Sequence, residues 1–335
     1  MEAVHVVGAG GIGCAIGYAL RAAGVPVVVV EAHPAKLGAG RRDGLRVDDR
    51  PPLRVDFVPF SCWQPPAAGT VLLCVKCYDN AAVLARLPPG AAVVPVQNGF
   101  DPVLDAFGHA TEGIASFVSQ CAPDRPHTRI TRPGVLYLGP RDGTPTTGEP
   151  DWLAPLGESA RRERLFRVVT VPRIGPIKHT KLMYNAAISP LTAAAGIDNG
   201  KLLSVPTARA LFFALIRENY HILKSAGVPL GTVGPFRPAT VAWILRRRWL
   251  AVAMAKFFEP SLRGTYCSMA GEIAKGRTEL DNYTGYLLRL AERHGVAAPL
   301  NRAVYERVRR MTAERAAPRR EILDELAARL REAQV

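Results

Sequence analysis

Near the start of the chain Gly8-Ala9-Gly10-Gly11-Ile12-Gly13 fits the spacing G-x-G-x-x-G, between an apolar run, Val4 to Val7, and a helical pattern, Cys14 to Ala23, closed by Gly24. A second apolar run, Val27 to Val30, follows. The glycines therefore occupy the turn of a strand-helix-strand unit, the context in which the spacing carries physical meaning. Gly8 permits the tight turn, Gly10 lets the backbone approach a pyrophosphate, and Gly13 allows the helix to pack closely on the sheet, with free N–H groups at the helix start facing the phosphate. The whole turn, with Ala9, Gly11 and Ile12, is the candidate dinucleotide loop. Glu31 ends the second strand, where a carboxylate accepts hydrogen bonds from ribose hydroxyls and repels a 2′-phosphate. That favours NAD, while His33, Lys36, Arg41 and Arg42 keep NADP open.

Further apolar runs at Val71 to Val75 and Ala92 to Val96 flank a helix-like segment, Asn80 to Leu87, that stops at Pro88-Pro89-Gly90. Strands alternating with helices predict a doubly wound, mainly parallel sheet. Beyond about Arg173 the pattern becomes 3.6-periodic, as in Leu211, Phe212, Leu215, Ile216 and Leu223. A chain of 335 residues is long for one core. The expected organisation is α/β: a Rossmann dinucleotide-binding domain over 1–174 and an all-α substrate and catalytic domain over 175–335. The segment Arg319 to Ala333 places Ile322, Leu323, Leu326 and Leu330 on one helical face. That face needs cover from the body of the chain or from a second copy in a homodimer. Residues Arg141 to Pro150, rich in Gly, Thr and Pro, read as a loop.

Composition excludes several classes. With 48% hydrophobic and 21% charged residues the chain is globular rather than disordered. It opens without a basic, signal-like segment and contains no apolar stretch near the roughly 20 residues that span a bilayer, so the expectation is a cytoplasmic protein with no membrane partner. The net charge of +14 is dispersed and carries no nucleic-acid-binding motif; no nucleic-acid partner is expected, and anionic small molecules gain favourable steering. Arg246-Arg247-Arg248, beside Trp243 and Trp249, reads as a solvated helix face. Six scattered cysteines argue against a disulfide framework. The pair Cys74 and Cys77 has C-x-x-C spacing without a second pair or adjacent histidines, so it reads as a strand end with two thiols and no metal.

Reducing a ketone by hydride places negative charge on the carbonyl oxygen and calls for a positioned proton donor. A lysine ammonium serves where an arginine does not readily release a proton. Lys181, with Asn185 one helical turn later, has this form, although spacing alone points more to a surface lysine followed by a capping or core amide.

Four segments resemble, in order along the chain, the ketopantoate reductase family. They are Val75-Lys76-Cys77-Tyr78; Val96-Gln97-Asn98-Gly99; Thr180-Lys181-Leu182-Met183-Tyr184-Asn185-Ala186-Ala187-Ile188-Ser189-Pro190-Leu191-Thr192; and Ser268-Met269 through Arg277-Thr278-Glu279-Leu280-Asp281. The resemblance implies a nicotinamide-dependent oxidoreductase that reduces the keto group of a 2-oxo acid such as 2-dehydropantoate, a step of pantothenate biosynthesis, and a helical domain like that of 6-phosphogluconate dehydrogenase. It implies that Lys181 is the general acid and that Asn98 and Asn185 position the reacting group. It also implies that Lys76 contacts cofactor or substrate, that Ser268 holds the substrate carboxylate, and that Glu279 binds its hydroxyl end. Glu218 is read as a structural salt bridge outside the site.

The chain departs from the family pattern at Ser189, where an asparagine is usual, at Gly271-Glu272, and at His179 in a place often held by tryptophan. Ser189 stays in the candidate substrate site, and such changes bear on substrate recognition rather than on hydride chemistry. The alternatives are the same chemistry on another hydroxy or keto metabolite, and a non-catalytic dinucleotide-sensing protein.

Overall fold

The computed structural model describes residues 2–66, 68–141, 143 and 148–332, the side chains of 330–332 excepted. It divides into two compact units, Met1–Ile174 and Gly175–Val335.

The strands of the first unit are, in chain order, β1 (Val4–Val7), β2 (Val27–Glu31), β3 (Arg46–Val47), β4 (Asp56–Pro59), β5 (Thr70–Leu73), β6 (Ala92–Pro95), β7 (Thr111–Ala115), β8 (Val118–Cys121), β9 (His127–Arg132), β10 (Val135–Pro140) and β11 (Arg167–Thr170). Helices α1 (Gly11–Ala22), α2 (Pro34–Asp43), α3 (Asn80–Leu84), α4 (Pro102–Phe107) and α5 (Leu153–Arg162) connect them. Five strands form a parallel sheet in the order β4-β2-β1-β5-β6, with Val4 opposite Val27 and His5 opposite Val71. Val4, Val6, Val27, Val29 and Leu72 enter one core with residues of α1 and α5, whereas Val7, Val30, Val71, Leu73 and Val93 enter another with residues of α3 and α4. Burial on both faces is why these strands read as unbroken apolar runs.

Strand order reverses between β1 and β5, so the loops leaving their carboxyl ends part and open a crevice there. Helix α1 begins at Gly11, earlier than its apolar pattern, because its first turn is largely glycine and carries no amphipathic signal. Two smaller sheets, β11-β10-β7 and β3-β9-β8, mix parallel with antiparallel pairing. Of the segment read as a loop, residues 142 and 144–147 lie outside the described residues.

Among its described residues the second unit contains helices and no strand: α6 (Gly175–Ala195), α7 (Lys201–Ser204), α8 (Pro206–Ser225), α9 (Pro238–Leu245), α10 (Arg248–Phe258), α11 (Thr284–Arg293), α12 (Pro299–Ala313) and α13 (Glu321–Glu332). Leu211, Phe212, Leu215, Ile216 and Leu223 of α8 are all buried. A polar thread crosses this core: Asn219 Nδ2 donates to the Met183 carbonyl (2.9 Å), and Asn301 Nδ2 donates to Asn219 Oδ1 (2.7 Å). Glu218 accepts from the backbone N–H of Leu300 and Asn301 (3.1 and 2.8 Å), capping the start of α12 rather than pairing with a cation there.

Helix α13 buries Ile322, Leu323 and Leu326 and packs on α8, α6 and α12, so the chain itself covers this face. The side chain of Leu330 and residue 333, included in that expectation, lie outside the described residues. Arg246, Arg247 and Arg248 are exposed, with the Arg247 guanidinium 3.8 Å from the Trp243 ring centroid. No helix among the described residues is long and apolar enough to cross a membrane.

Candidate active site

In the first unit the candidate site is shaped by backbone. Gly8 leaves β1 at φ +103°, and a Cβ there would meet Val75 Cγ1 at 2.9 Å. A Cβ on Gly13 would stand 2.0 Å from the Gly8 carbonyl oxygen. Gly13 is therefore what allows α1 to start directly beneath the turn. A Cβ on Gly10 would meet nothing within 4 Å, so packing does not require a glycine there. The Cys14 N–H reaches the Gly10 carbonyl at 2.9 Å as the first helical bond, leaving the N–H groups of Gly11, Ile12 and Gly13 outside the helical ladder. With no acidic residue in the first turn, the positive pole of α1 is available to a phosphate. These residues fit the phosphate part of a dinucleotide.

Glu31 is held by three backbone donors: Ala9 N–H to Oε2 at 3.0 Å, and the N–H groups of Ala32 and His33 to Oε1, each at 2.8 Å. The carboxylate is thus fixed against the glycine turn. Of the nearby cations, Lys36 donates to the Ala9 carbonyl (3.0 Å), Arg41 Nε to the Phe57 carbonyl (3.1 Å), and Arg42 pairs with Asp43 (3.2 Å).

Lys76 and Asn98 follow β5 and β6 at the carboxyl edge of the same sheet, and both are part-buried. A buried amide network joins their loops. Gln97 Nε2 donates to the Val75 carbonyl and to Asn80 Oδ1, both at 2.7 Å, and Asn80 Nδ2 donates to Asp101 Oδ2 at 2.6 Å. Cys77 Sγ donates to the Asn98 carbonyl (3.3 Å), and burial pushes the Cys74 thiol up to about 12. The two thiols of the C-x-x-C segment thus sit in a strand-end packing arrangement. No group of three or more metal-ligating side chains occurs among the described residues.

In the second unit the candidate site is made of side chains. Lys181, Asn185 and Ser189 recur every four residues of α6 and lie along one side of it. Burial pulls the Lys181 ammonium down to about 8, against the opposing charge of Glu279. Tyr184, the other acid on this turn, is pushed up to about 12 by burial and is the poorer proton donor. Glu279 is buried and accepts from the Tyr283 hydroxyl (3.2 Å), whose oxygen lies 3.1 Å from Ser268 Oγ. Ser268 itself is exposed. Ser189 is buried at 3% exposure, next to Pro190, which removes an N–H from the interior of α6. Its carbonyl accepts from Cys267 Sγ at 3.6 Å. His179 shares hydrogen bonds with the Gly175 carbonyl (2.8 Å) and the Tyr286 hydroxyl (3.0 Å), which fixes both ring nitrogens near the start of α6.

The structure thus gathers Gly8 to Gly13 with Glu31, sets Lys76 and Asn98 on one sheet edge, and couples Lys181 to Glu279 and, through Tyr283, to Ser268. Sequence reasoning missed Tyr283, although a tyrosine four residues after a candidate carboxylate is a detectable signal. It also missed the Asn80, Gln97 and Asp101 network.

Comparison with known proteins follows the same division. Residues 4–143 match the family model described as ketopantoate reductase PanE/ApbA, and residues 173–312 match that for ketopantoate reductase PanE/ApbA C terminal. A 2-dehydropantoate 2-reductase of Pyrobaculum aerophilum is 28% identical over 321 residues, covering 91% of this chain and 96% of the relative. One from Archaeoglobus fulgidus is 24% identical over 92% and 97% of the two chains. In fold, the chain is similar to a PanE/ApbA family ketopantoate reductase from Ralstonia eutropha, with TM-score 0.74 and 23% identity over 94% and 99% of the chains. It is likewise similar to D-mandelate dehydrogenase solved with NADH and anilino(oxo)acetate, with TM-score 0.73 and 16% identity over 94% and 99%.

Proposed function

The chain belongs to the ketopantoate reductase family of nicotinamide-dependent oxidoreductases, and on that premise we propose that it reduces the keto group of a 2-oxo acid such as 2-dehydropantoate, with Lys181 as the general acid. The observation that carries this reading is the Lys181 ammonium, drawn down to about 8 by burial with Glu279 opposing the shift. A catalytic acid works best when its pKa lies near the working pH, and an ordinary lysine is too weak an acid for that.

A bound dinucleotide would supply the hydride, and the protein position and a proton. Gly8 to Gly13 and the N–H groups at the start of α1 would hold the pyrophosphate, and Glu31 would take the ribose hydroxyls. Lys76 and Asn98 would contact the cofactor from the sheet edge. Lys181 Nζ passes its proton to the carbonyl oxygen as charge builds there, and Asn185 orients that oxygen. Ser268 takes the substrate carboxylate, Glu279 its hydroxyl end, and Tyr283 keeps the two at a fixed spacing. Ser189 contributes a hydroxyl to the same helix side and bears on which 2-oxo acid fits.

NADH is the proposed cofactor. A carboxylate fixed by three backbone N–H groups occupies the place where a 2′-phosphate would need a cation. Arg41 and Arg42 are engaged elsewhere, while Lys36 donates to the Ala9 carbonyl of the turn itself. The test is the initial rate of absorbance loss from NADH and from NADPH with ketopantoate as oxidant. Turnover with NADH above that with NADPH is expected. Dinucleotide binding without turnover on ketopantoate or on a panel of other 2-oxo acids would overturn the enzymatic reading in favour of a sensor.

A further inference from the structure

Two cysteines that the proposed reaction does not use meet beneath the glycine turn. Cys14 is fully buried in the first turns of α1, and Cys121 ends β8 with partial exposure. Their sulfurs lie at the same distance, 3.4 Å, from the Ala9 carbonyl oxygen. Lys36 Nζ reaches that carbonyl at 3.0 Å and Cys121 Sγ at 3.5 Å. Two thiols and an ammonium therefore converge on one backbone oxygen of the candidate cofactor loop.

We infer that Cys14 and Cys121 are a peroxide-sensitive dithiol site, in which Cys121 is the attacking sulfur and Cys14 the resolving one.

The chemistry follows from the surroundings. The neighbouring Cys14 sulfur and the charge and hydrogen bond of Lys36 draw the Cys121 thiol down to about 7, against its burial and the Glu31 carboxylate. Cys14 moves the opposite way, well above the ordinary range, because of the neighbouring Cys121 sulfur and its own burial. The thiolate is the nucleophile, and it forms on the more accessible partner. Cys121 attacks one oxygen of a hydroperoxide: an S–O bond forms, the O–O bond breaks, and the leaving oxygen departs as water or alcohol. The Cys14 sulfur then attacks Cys121, forming S–S and breaking S–O, and a water leaves. Two thiols lose two electrons and two protons to one peroxide, and a dithiol reductant reverses the exchange.

The bond removes both S–H donors from the Ala9 carbonyl and ties β8 to α1. The consequence for the cofactor rests on reading the turn as the dinucleotide loop; formation of the bond does not.

The experiment treats the full chain with hydrogen peroxide near pH 7, blocks remaining thiols by alkylation, and maps peptides without reduction. Cys14 and Cys121 peptides should appear joined, with the exposed Cys62 still alkylated. In Cys14→Ala, Cys121 should instead be trapped by a 1,3-dione as the sulfenic acid. In Cys121→Ser, Cys14 should remain a thiol at the same dose. Over-oxidation of Cys121 with Cys14 left free in the unaltered chain, or no reaction at a dose that oxidises Cys62, overturns the proposal. NADH affinity is then measured on oxidised and re-reduced protein. Weakening by about fivefold, the value of one lost hydrogen bond, reversed by dithiothreitol and absent in Cys121→Ser, is expected. Equal affinity of the two forms would overturn the coupling to the loop.

Discussion

The candidate cofactor site of the first unit is built from backbone, whereas the candidate proton-transfer site of the second is built from side chains separated by roughly a hundred residues of sequence. In the first, the geometry is set by atoms that are missing: no Cβ in the open space at Gly10, none at Gly13 where a carbonyl stands. In the second, it depends on atoms that are present and perturbed, above all the Lys181 ammonium. The contrast teaches that one candidate site is defined by where side chains are absent, and the other by which side chains are present.

The largest expected effect belongs to the second site. Lys181→Ala should lower turnover by about a thousandfold, within the usual range for a positioned acid, while NADH affinity stays within about twofold. Lys181→Arg should fail to rescue it, since the charge returns without a transferable proton. Near-normal turnover of either variant would remove the proton donor from the account.

Next comes a pair of alanines in the first site. Gly13→Ala places its Cβ against the Gly8 carbonyl, so Tm should fall and dinucleotide affinity should drop by about a hundredfold, the scale set by losing the helix-end contacts to the pyrophosphate. Gly10→Ala should leave Tm nearly unchanged yet weaken the dinucleotide, because its Cβ meets only open space. If titration calorimetry and melting curves changed in parallel for both, packing and ligand approach would not be separable as claimed.

A smaller effect is read from pH. With Lys181 as the proposed acid, reduction would need it protonated, so kcat/KM should be flat below about 8 and fall roughly tenfold per pH unit above it; the reverse oxidation should gain over the same window. A profile that stays flat to pH 10 would mean that the titrating acid is not Lys181.

The smallest is Tyr283→Phe. Losing the hydroxyl that joins Ser268 to Glu279 should raise KM by about fivefold, the worth of one hydrogen bond, with kcat little changed. A large loss of kcat instead would promote Tyr283 from a positioning residue to a catalytic one.

Legibility in the sequence divides along the same line. The glycine turn, β1, β2 and the helices of the second unit were readable because each is a local pattern: a spacing, an apolar run, a 3.6-residue period. Strand β9 was not, since His127 to Arg132 is polar and charged and pairs in a small sheet with little core to face. Glu218 pointed to a salt bridge because an acid invites a cation, but its partners are the amides at the start of α12, a positive pole that no side chain advertises. Tyr283 stands at a legible spacing of four from Glu279, but its second partner, Ser268 fifteen residues earlier, meets it only once the chain folds back on itself.

The softened ammonium has one more consequence. An amine whose pKa is about 8 is unprotonated in about a tenth of molecules at neutral pH, against a few in ten thousand for an ordinary lysine. Lys181 is therefore expected to react as a nucleophile: a 2-oxo acid carrying an acylating group should label it ahead of the exposed lysines, and peptide mapping of the labelled chain would count the occupied sites.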